Sequence, residues 1–571
     1  MKAKVCDLIN EFNHTNKVFG DLIAVIDKEN EITYEELYIQ VSKLTERITC
    51  ENQPIGIVAR RSIQTVIQIL AVLQSGNYYI PIDPNLPEER IDYIINKTNT
   101  RLVFDGDQLN WLHQTKVTVP FAEKLNANDK IAYIIFTCGS TGLPKGVVET
   151  HEQVMNTLYD LQERMNLNEK DHFLCLASFN FDLSVFDVFG SILVGGKLSI
   201  VEDQRDFVEI KKILEERNIT VLNSVPSVLN YFLKEIEISK SARERLRVCL
   251  LSGDYVSVDL AKTTLETFPK CQTYSLGGAT ECSIWSILYL ITKENIINTP
   301  YIPYGNPMSN QRIYILNQEF IPEINGTIGQ IAIAGSSVAL GYIGDESKTN
   351  ETFIEHKQLG YLYLTGDLGQ FCGDHIKFTG RMDSRLKVNG YRVSLSEISA
   401  VFHQHFGFEN RVFLLEEQEG TQKLALAYQN KEAVKSTIIR KELLQHLAAY
   451  EIPHVQFNFS SFPLTQNGKI DMKALKKAIM EKLHEKSSEQ HRVEESANIS
   501  LFRQMLAEVL QTNHLSANDS LFDLGVDSLQ LVKIKNWIEE HFKVDMEIID
   551  IYDCDHVEAL ENYIEEMKTV K

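Results

Sequence analysis

Short apolar runs alternate with amphipathic stretches from Ile55 to roughly Gly380. The run IGIVA (Ile55–Ala59) is apolar throughout and predicts a buried strand. SIQTVIQILAVLQSG (Ser62–Gly76) follows at helical spacing, with Ser62 suited to the N-cap and Gly76 to the stop. The segments VVETH to LQERM, DFVEIKKILEERN and TVLNSV repeat the alternation, which predicts an α/β region with largely parallel sheets. The polar stretch GRMDSRLKVNGYR (Gly380–Arg392) breaks the pattern, and a shorter α+β region runs on to about Leu475. KKAIMEKLHEKSSEQHRVEESAN is charged and loses its large apolar residues after Leu483, so it predicts a helical tail entering a solvated linker. A compact helical unit occupies the chain from Ile499 onward, and no repeat of 20–50 residues is present.

Composition narrows the class. The 571 residues suggest roughly three to five folding units. A hydrophobic content of 44% with 24% charged residues fits globular cores. The net charge of −21 makes nucleic acid or an acidic membrane surface a poor partner. The helical unit from Ile499 contributes −9 of it, from 6 basic and 15 acidic residues. The nine cysteines are scattered and never spaced C-x-x-C, which speaks against a disulfide framework or a thiolate metal site and for a reducing compartment. No apolar run reaches the roughly 18 residues that span a bilayer. MKAKVCDLINEF has no long apolar core of the kind a signal peptide needs. A cytoplasmic protein is expected.

Three features are candidates for chemistry. FTCGSTGLPKGV (Phe136–Val147) is glycine-rich, but its lysine lies outside the G-x-x-x-x-G-K-[ST] frame. Gly139 and Gly142 permit a tight bend that converges backbone N–H groups on an anion. Thr137, Ser140 and Thr141 add hydroxyls, and Lys145 adds charge. An ordinary turn with a solvated lysine reads equally well. Asp182 in FDLS and Ser528 in GVDSLQLVKI each read, taken alone, as a plain helix N-cap, and gain a further role only from the resemblance that follows. A helix starting at Ser528 would turn Leu531, Ile534 and Ile538 inward.

The glycine-rich run resembles the phosphate loop of adenylate-forming enzymes, and further matches to that family follow in its order. They are ITYEEL (Ile32–Leu37), LQSGNYYIPID (Leu73–Asp83), FDLSVFD (Phe181–Asp187), GGATE (Gly277–Glu281), GQIAIAGSSVALGY (Gly329–Tyr342), YLTGDL (Tyr363–Leu368), GRMDSRLKVNGYRV (Gly380–Val393), AAYEIP (Ala448–Pro453) and NGKID (Asn467–Asp471). Together they cover nearly all of residues 20–475. DSLFDLGVDSLQLVKI resembles the attachment motif of a peptidyl carrier protein. The chain is therefore similar to an adenylation domain of a non-ribosomal peptide synthetase followed by a carrier domain.

The resemblance implies an α/β large N-terminal adenylation subdomain (1–382), a small α+β C-terminal subdomain (383–482), a linker (483–497) and an all-α four-helix-bundle carrier (498–571). It implies ATP, Mg²⁺ and 4′-phosphopantetheine as cofactors. Thr137, Gly139, Ser140, Thr141, Gly142 and Lys145 would hold the β- and γ-phosphates. Thr280 would meet the α-phosphate, Glu281 the Mg²⁺, Asp367 the ribose hydroxyls, and Arg381 the ribose and phosphates. Lys469, 88 residues after Arg381, would bridge the substrate carboxylate and the nucleotide, and Asp383 would be the hinge of the small subdomain. Ser528 would carry the phosphopantetheine arm, installed by a separate phosphopantetheinyl transferase. Gly277, in the nucleotide site, stands where the family usually has an aromatic residue, which removes adenine stacking from that side. Ala279 replaces the usual proline, and Cys138 stands where serine is commoner.

Asp182 matches the position that binds the α-ammonium group, and so argues for an amino acid rather than an aryl or fatty acid. The remaining pocket positions are Leu183, Phe186, Asn223, Leu250, Ser252, Leu276, Ile284 and Trp285. This set resembles cysteine-activating domains, apart from Phe186 in place of tyrosine. It implies L-cysteine as the first choice, loaded onto the chain's own carrier. A free-standing acyl-CoA or aryl-acid ligase gives no reason for Asp182 or Ser528, and a non-catalytic descendant gives none for Lys469, Glu281 and Asp367. No condensation or heterocyclisation unit fits in the length, so the aminoacyl group is expected to pass to such a domain in trans or in a longer synthetase.

Overall fold

The computed structural model describes residues 7–111, 130–137, 144–297, 299–323, 326–382, 385–388, 391–416, 422–463, 470, 472–489, 501–509, 515–517, 519, 521, 526, 528–544, 546, 550–551, 554 and 556–569. Cys138 to Gly142, Asp383, Lys469 and the expected linker from residue 490 lie outside the described residues. The chain divides into two units, Met1–Ser394 and Leu395–Lys571.

In the first unit the expected alternation is present. The run at Ile55 forms the strand Pro54–Val58 and leads into the helix Ile63–Gln74, which is buried on nearly every side. Ser62 caps it, its hydroxyl accepting the Thr65 N–H at 3.4 Å, and Gly76 follows the end at φ +74°, where a Cβ would be strained. The largest sheet has nine strands. Six neighbours within it are parallel: Gln272–Gly277, Val248–Leu251, Val221–Ser224, His172–Cys175, Lys197–Ile200 and Ile23–Ile26. A six-stranded sheet holds Pro54–Val58 and, at one edge, the antiparallel pair Ile131–Thr137 and Lys145–Thr150.

The α/β pattern does not extend to Gly380. From Gln311 to Arg381 the strands Gln311–Leu316, Gly329–Gly335, Phe353–His356, Gly360–Cys372 and His375–Arg381 make an antiparallel sheet. Gly360–Cys372 turns into His375–Arg381 through two residues, with Gly373 at φ +67°. A loop that short allows only an antiparallel return, because a parallel crossover needs a dozen residues or more.

The second unit begins as the expected α+β fold. The strands Asn410–Glu416, Gln422–Gln429 and Val455–Phe459 form one sheet, accompanied by the helices Leu395–Phe406, Ser436–Leu444 and Met472–Glu489. The helices Leu501–Val509, Ser528–Phe542 and Val557–Thr569 then share a separate core. Leu531, Ile534 and Ile538 are buried in it, as their spacing predicts. Of the fourth helix, only Asp550 and Ile551 are among the described helical residues. Among the described residues no helix is long and apolar enough to cross a membrane.

Two buried histidines, His151 and His172, and the half-buried His454 predict the acid response. Burial pushes His151 and His454 down to about 4 and His172 down to about 3, from an ordinary 6.5. The unfolded chain takes up protons near 6.5 that the folded chain refuses, so stability is lost as pH falls from there toward 4. Melting temperature measured across that window should fall, and His172→Gln should flatten the decline.

Candidate functional site

The pocket positions gather at the carboxyl ends of parallel strands, where open α/β sheets place their ligands. Asn223 and Leu250 are direct neighbours on adjoining strands, and the Ser252 N–H donates to the Ser224 carbonyl at 3.2 Å. Leu276 lies near the end of the next strand. Asn223 Nδ2 donates to the Leu183 carbonyl at 3.2 Å and to Asp187 Oδ1 at 3.1 Å, tying the strand to the turn that follows Asp182. That turn runs through Leu183–Val185 into a π-helical segment, Phe186–Gly190, a form common at functional sites. Phe186 meets Trp285 edge-on at 5.3 Å between ring centroids. Leu183, Phe186, Leu250, Leu276, Ile284 and Trp285 belong to one buried cluster.

Trp285 is aimed by a strained corner. Ser283 and Ile284 have φ of +56° and +70°, and a β-branched residue there is an outlier held by its surroundings. Thr157 Oγ1 donates to the Ser283 carbonyl at 2.9 Å, the Ser283 N–H donates to Glu149 Oε1 at 3.2 Å, and Gln311 Nε2 donates to the Trp285 carbonyl at 3.1 Å. Asn223 Oδ1, Ser252 Oγ and Trp285 Nε1 are buried polar atoms with no hydrogen-bond partner among the described residues. The residues expected to line a pocket are thus less uniformly apolar than their names suggest.

Asp182 is 9% exposed and makes no side-chain cap to the helix it precedes, which removes the N-cap reading. It lies within electrostatic range of Glu149, whose carboxyl burial pushes well above the usual range, with Asp182 and Glu281 adding to the rise.

Thr137 and Lys145 face each other across the antiparallel pair that flanks the glycine-rich loop, so the lysine stands at the loop's base. It is not solvated: Lys145 is 7% exposed, with Nζ 5.0 Å from the centroid of the Tyr342 ring. The Tyr342 hydroxyl donates to Glu281 Oε1 at 2.8 Å, and Glu281, in the turn Thr280–Cys282, is fully buried. Thr137 Oγ1 is buried without a partner among the described residues. Asp367 and Arg381 are directly opposed on adjoining strands and form an ion pair. The Thr365 hydroxyl accepts the Asp367 N–H at 3.0 Å, and the Thr365 carbonyl accepts from Arg381 Nη2 at 3.4 Å. All of these residues lie in the first unit. Ser528 is the first residue of its helix, in the second unit.

Sequence reasoning did not single out Glu149, Tyr342 or Tyr304. The signal for Glu149 was one acid inside KGVVET, a strand buried along its whole length.

Comparison with known proteins adds two matches to family models: AMP-binding enzyme over residues 12–343 and phosphopantetheine attachment site over 500–564. Bacitracin synthase 1 of Bacillus licheniformis is 34% identical across 99% of this chain, which spans 11% of that protein. Polyketide synthase PksN of Bacillus subtilis (strain 168) is 28% identical across 98% of the chain, again 11% of its own length. Among solved structures, holo-PA1221, an NRPS protein containing adenylation and PCP domains, superimposes with a TM-score of 0.78 over 98% of this chain and 96% of its own, at 21% identity.

Proposed function

Because the chain belongs to the AMP-binding enzymes and carries a phosphopantetheine attachment domain, we propose that it activates an amino acid, L-cysteine first, as the aminoacyl-AMP and loads it onto its own carrier. The observation that carries this reading is the buried Asp182 carboxylate, which does not cap its helix, one residue before Leu183 and a buried, mainly apolar cluster. A buried anion at a ligand pocket suits a cationic substrate group, here the α-ammonium.

In the first step a carboxylate oxygen of the amino acid attacks the α-phosphorus of ATP. The bond from that phosphorus to the bridging oxygen breaks, and pyrophosphate leaves. Thr137, Lys145 and the loop between them would hold the β- and γ-phosphates, and Thr280 the α-phosphate. Asp367, already oriented by Arg381, would take the ribose. Glu281 would hold Mg²⁺: two buried carboxyls in electrostatic range, Glu281 and Glu149, make an acidic setting that suits a divalent oxygen-seeking cation. The ion supplies neutralisation of charge that develops on the phosphates. Lys469 would bridge the two substrates, and Asp383 would be the hinge between the two half-reactions. Ser528 would carry the phosphopantetheine arm, which would supply a thiol as the acceptor for the acyl group. A phosphopantetheinyl transferase would install the arm, and a condensation or heterocyclisation domain would take the product.

Cysteine is favoured by the apolar wall and by Trp285, which limits the space. A thiol is a weak donor and acceptor and tolerates such a wall. Pyrophosphate exchange with each amino acid tests the assignment. Cysteine should give the highest kcat/KM, with near-isosteres lower by roughly 10–200-fold. Preference for an aromatic or charged amino acid would overturn it.

A further inference from the structure

Gly277 ends its strand three residues before Thr280, in the nucleotide region, and has no side chain to offer a base. The space is nevertheless filled. A Cβ at 277 would stand 2.0 Å from Cε2 and 2.4 Å from Cζ of Tyr304, so the Tyr304 ring occupies the volume in which any side chain at 277 would begin.

Tyr304 reaches that place from another segment and is held there. Its N–H donates to the Ile376 carbonyl at 2.8 Å, and the Ile376 N–H donates to the Gly305 carbonyl at 3.0 Å. These bonds pin it to the strand His375–Arg381, which carries Arg381. Gly305 has φ +114°, and a Cβ there would meet the Leu288 carbonyl oxygen at 2.1 Å; glycine alone lets the chain pass this close. Phe378 packs against the ring at 6.0 Å between centroids. The phenol oxygen lies against the Gly278 backbone and within electrostatic range of Asp367 and Arg381, and burial holds its pKa above the ordinary value. Tyr304 as a residue is only partly buried.

We infer that Tyr304 supplies the aromatic face for the purine base of the nucleotide, a role that residue 277 cannot fill in this chain. The glycine and the tyrosine act as one complementary pair: the ring fits only because 277 has no side chain. This rests on the reading that Asp367 and Glu281 serve ATP.

The test uses the full chain with two independent readouts: calorimetric titration with AMP, and KM values in pyrophosphate exchange. Tyr304→Ala should weaken AMP binding and raise KM for ATP by about tenfold or more, the usual effect of losing a base-stacking aromatic. KM for the amino acid and for pyrophosphate, which contain no base, should stay in place. Tyr304→Phe should recover most of the loss. The double replacement Gly277→Tyr with Tyr304→Ile should also recover it, whereas Gly277→Tyr alone, which forces two rings into one volume, should not. AMP affinity unchanged in Tyr304→Ala would overturn the inference, as would a folded double replacement that binds AMP no better than Tyr304→Ala. Because AMP binding is read without turnover, a protein that activates no amino acid but loses AMP with Tyr304 would defeat the proposed function alone. Normal exchange with indifferent Tyr304 variants would defeat this inference alone.

Discussion

Ser528→Ala ends covalent capture of the amino acid, while amino-acid-dependent pyrophosphate exchange continues. The loss is complete because a phosphodiester to the arm requires the serine oxygen, and alanine has none. It is also chemical rather than structural. Ser528 begins the helix Ser528–Phe542, which is anchored by Leu531, Ile534 and Ile538 in the shared core, and alanine is the best helix former. The measurement is intact-protein mass, with radiolabelled cysteine as a second readout, after treatment with a phosphopantetheinyl transferase, coenzyme A, ATP and Mg²⁺. Undiminished label on Ser528→Ala would end the carrier assignment. Exchange continues because the residues proposed to bind ATP and the amino acid, Lys469 apart, lie in the unit Met1–Ser394.

Asp182→Ala lowers kcat/KM for the amino acid by roughly two to four orders of magnitude, the consequence of leaving a buried cation without its partner at about 3–5 kcal/mol. Asp182→Asn keeps the shape and loses the charge, and should fall nearly as far. The sharper check is 3-mercaptopropanoate, which is cysteine without its amine. The wild-type protein should discriminate strongly against it, and both variants should lose that discrimination. A variant that still prefers cysteine would place the ammonium elsewhere.

Much of this was legible in the sequence because it was local. Ser62 and Gly76 bracketed their helix, and the apolar spacing after Ser528 gave the inner face of the carrier helix. Asn223, Leu250 and Leu276, proposed for the pocket, lie on adjoining parallel strands, and Ser252 directly follows one of them. The antiparallel sheet from Gln311 to Arg381 was missed, although its strands alternate buried and exposed positions and short connections, two residues at Gly373 and three before Gly360, require antiparallel returns. The pairing of Asp367 with Arg381 follows from that hairpin register and from nothing in either motif. A solvated Lys145 read as well as an anion-binding one; its burial against Tyr342 depends on a residue nearly two hundred positions away. The fit of Tyr304 into the space at Gly277 is tertiary complementarity, and no window of sequence contains both halves.

The left-handed corner at Ser283 and Ile284 limits how the protein could be retargeted. Glycine or asparagine at 284 would relax the main chain, yet it would also free the indole whose fixed pose is proposed to keep larger ligands out. Selectivity and local rigidity are therefore coupled at one peptide, and a mutant library aimed at new monomers should hold 283–284 constant and vary Leu183, Leu250 and Leu276, whose backbones are unstrained.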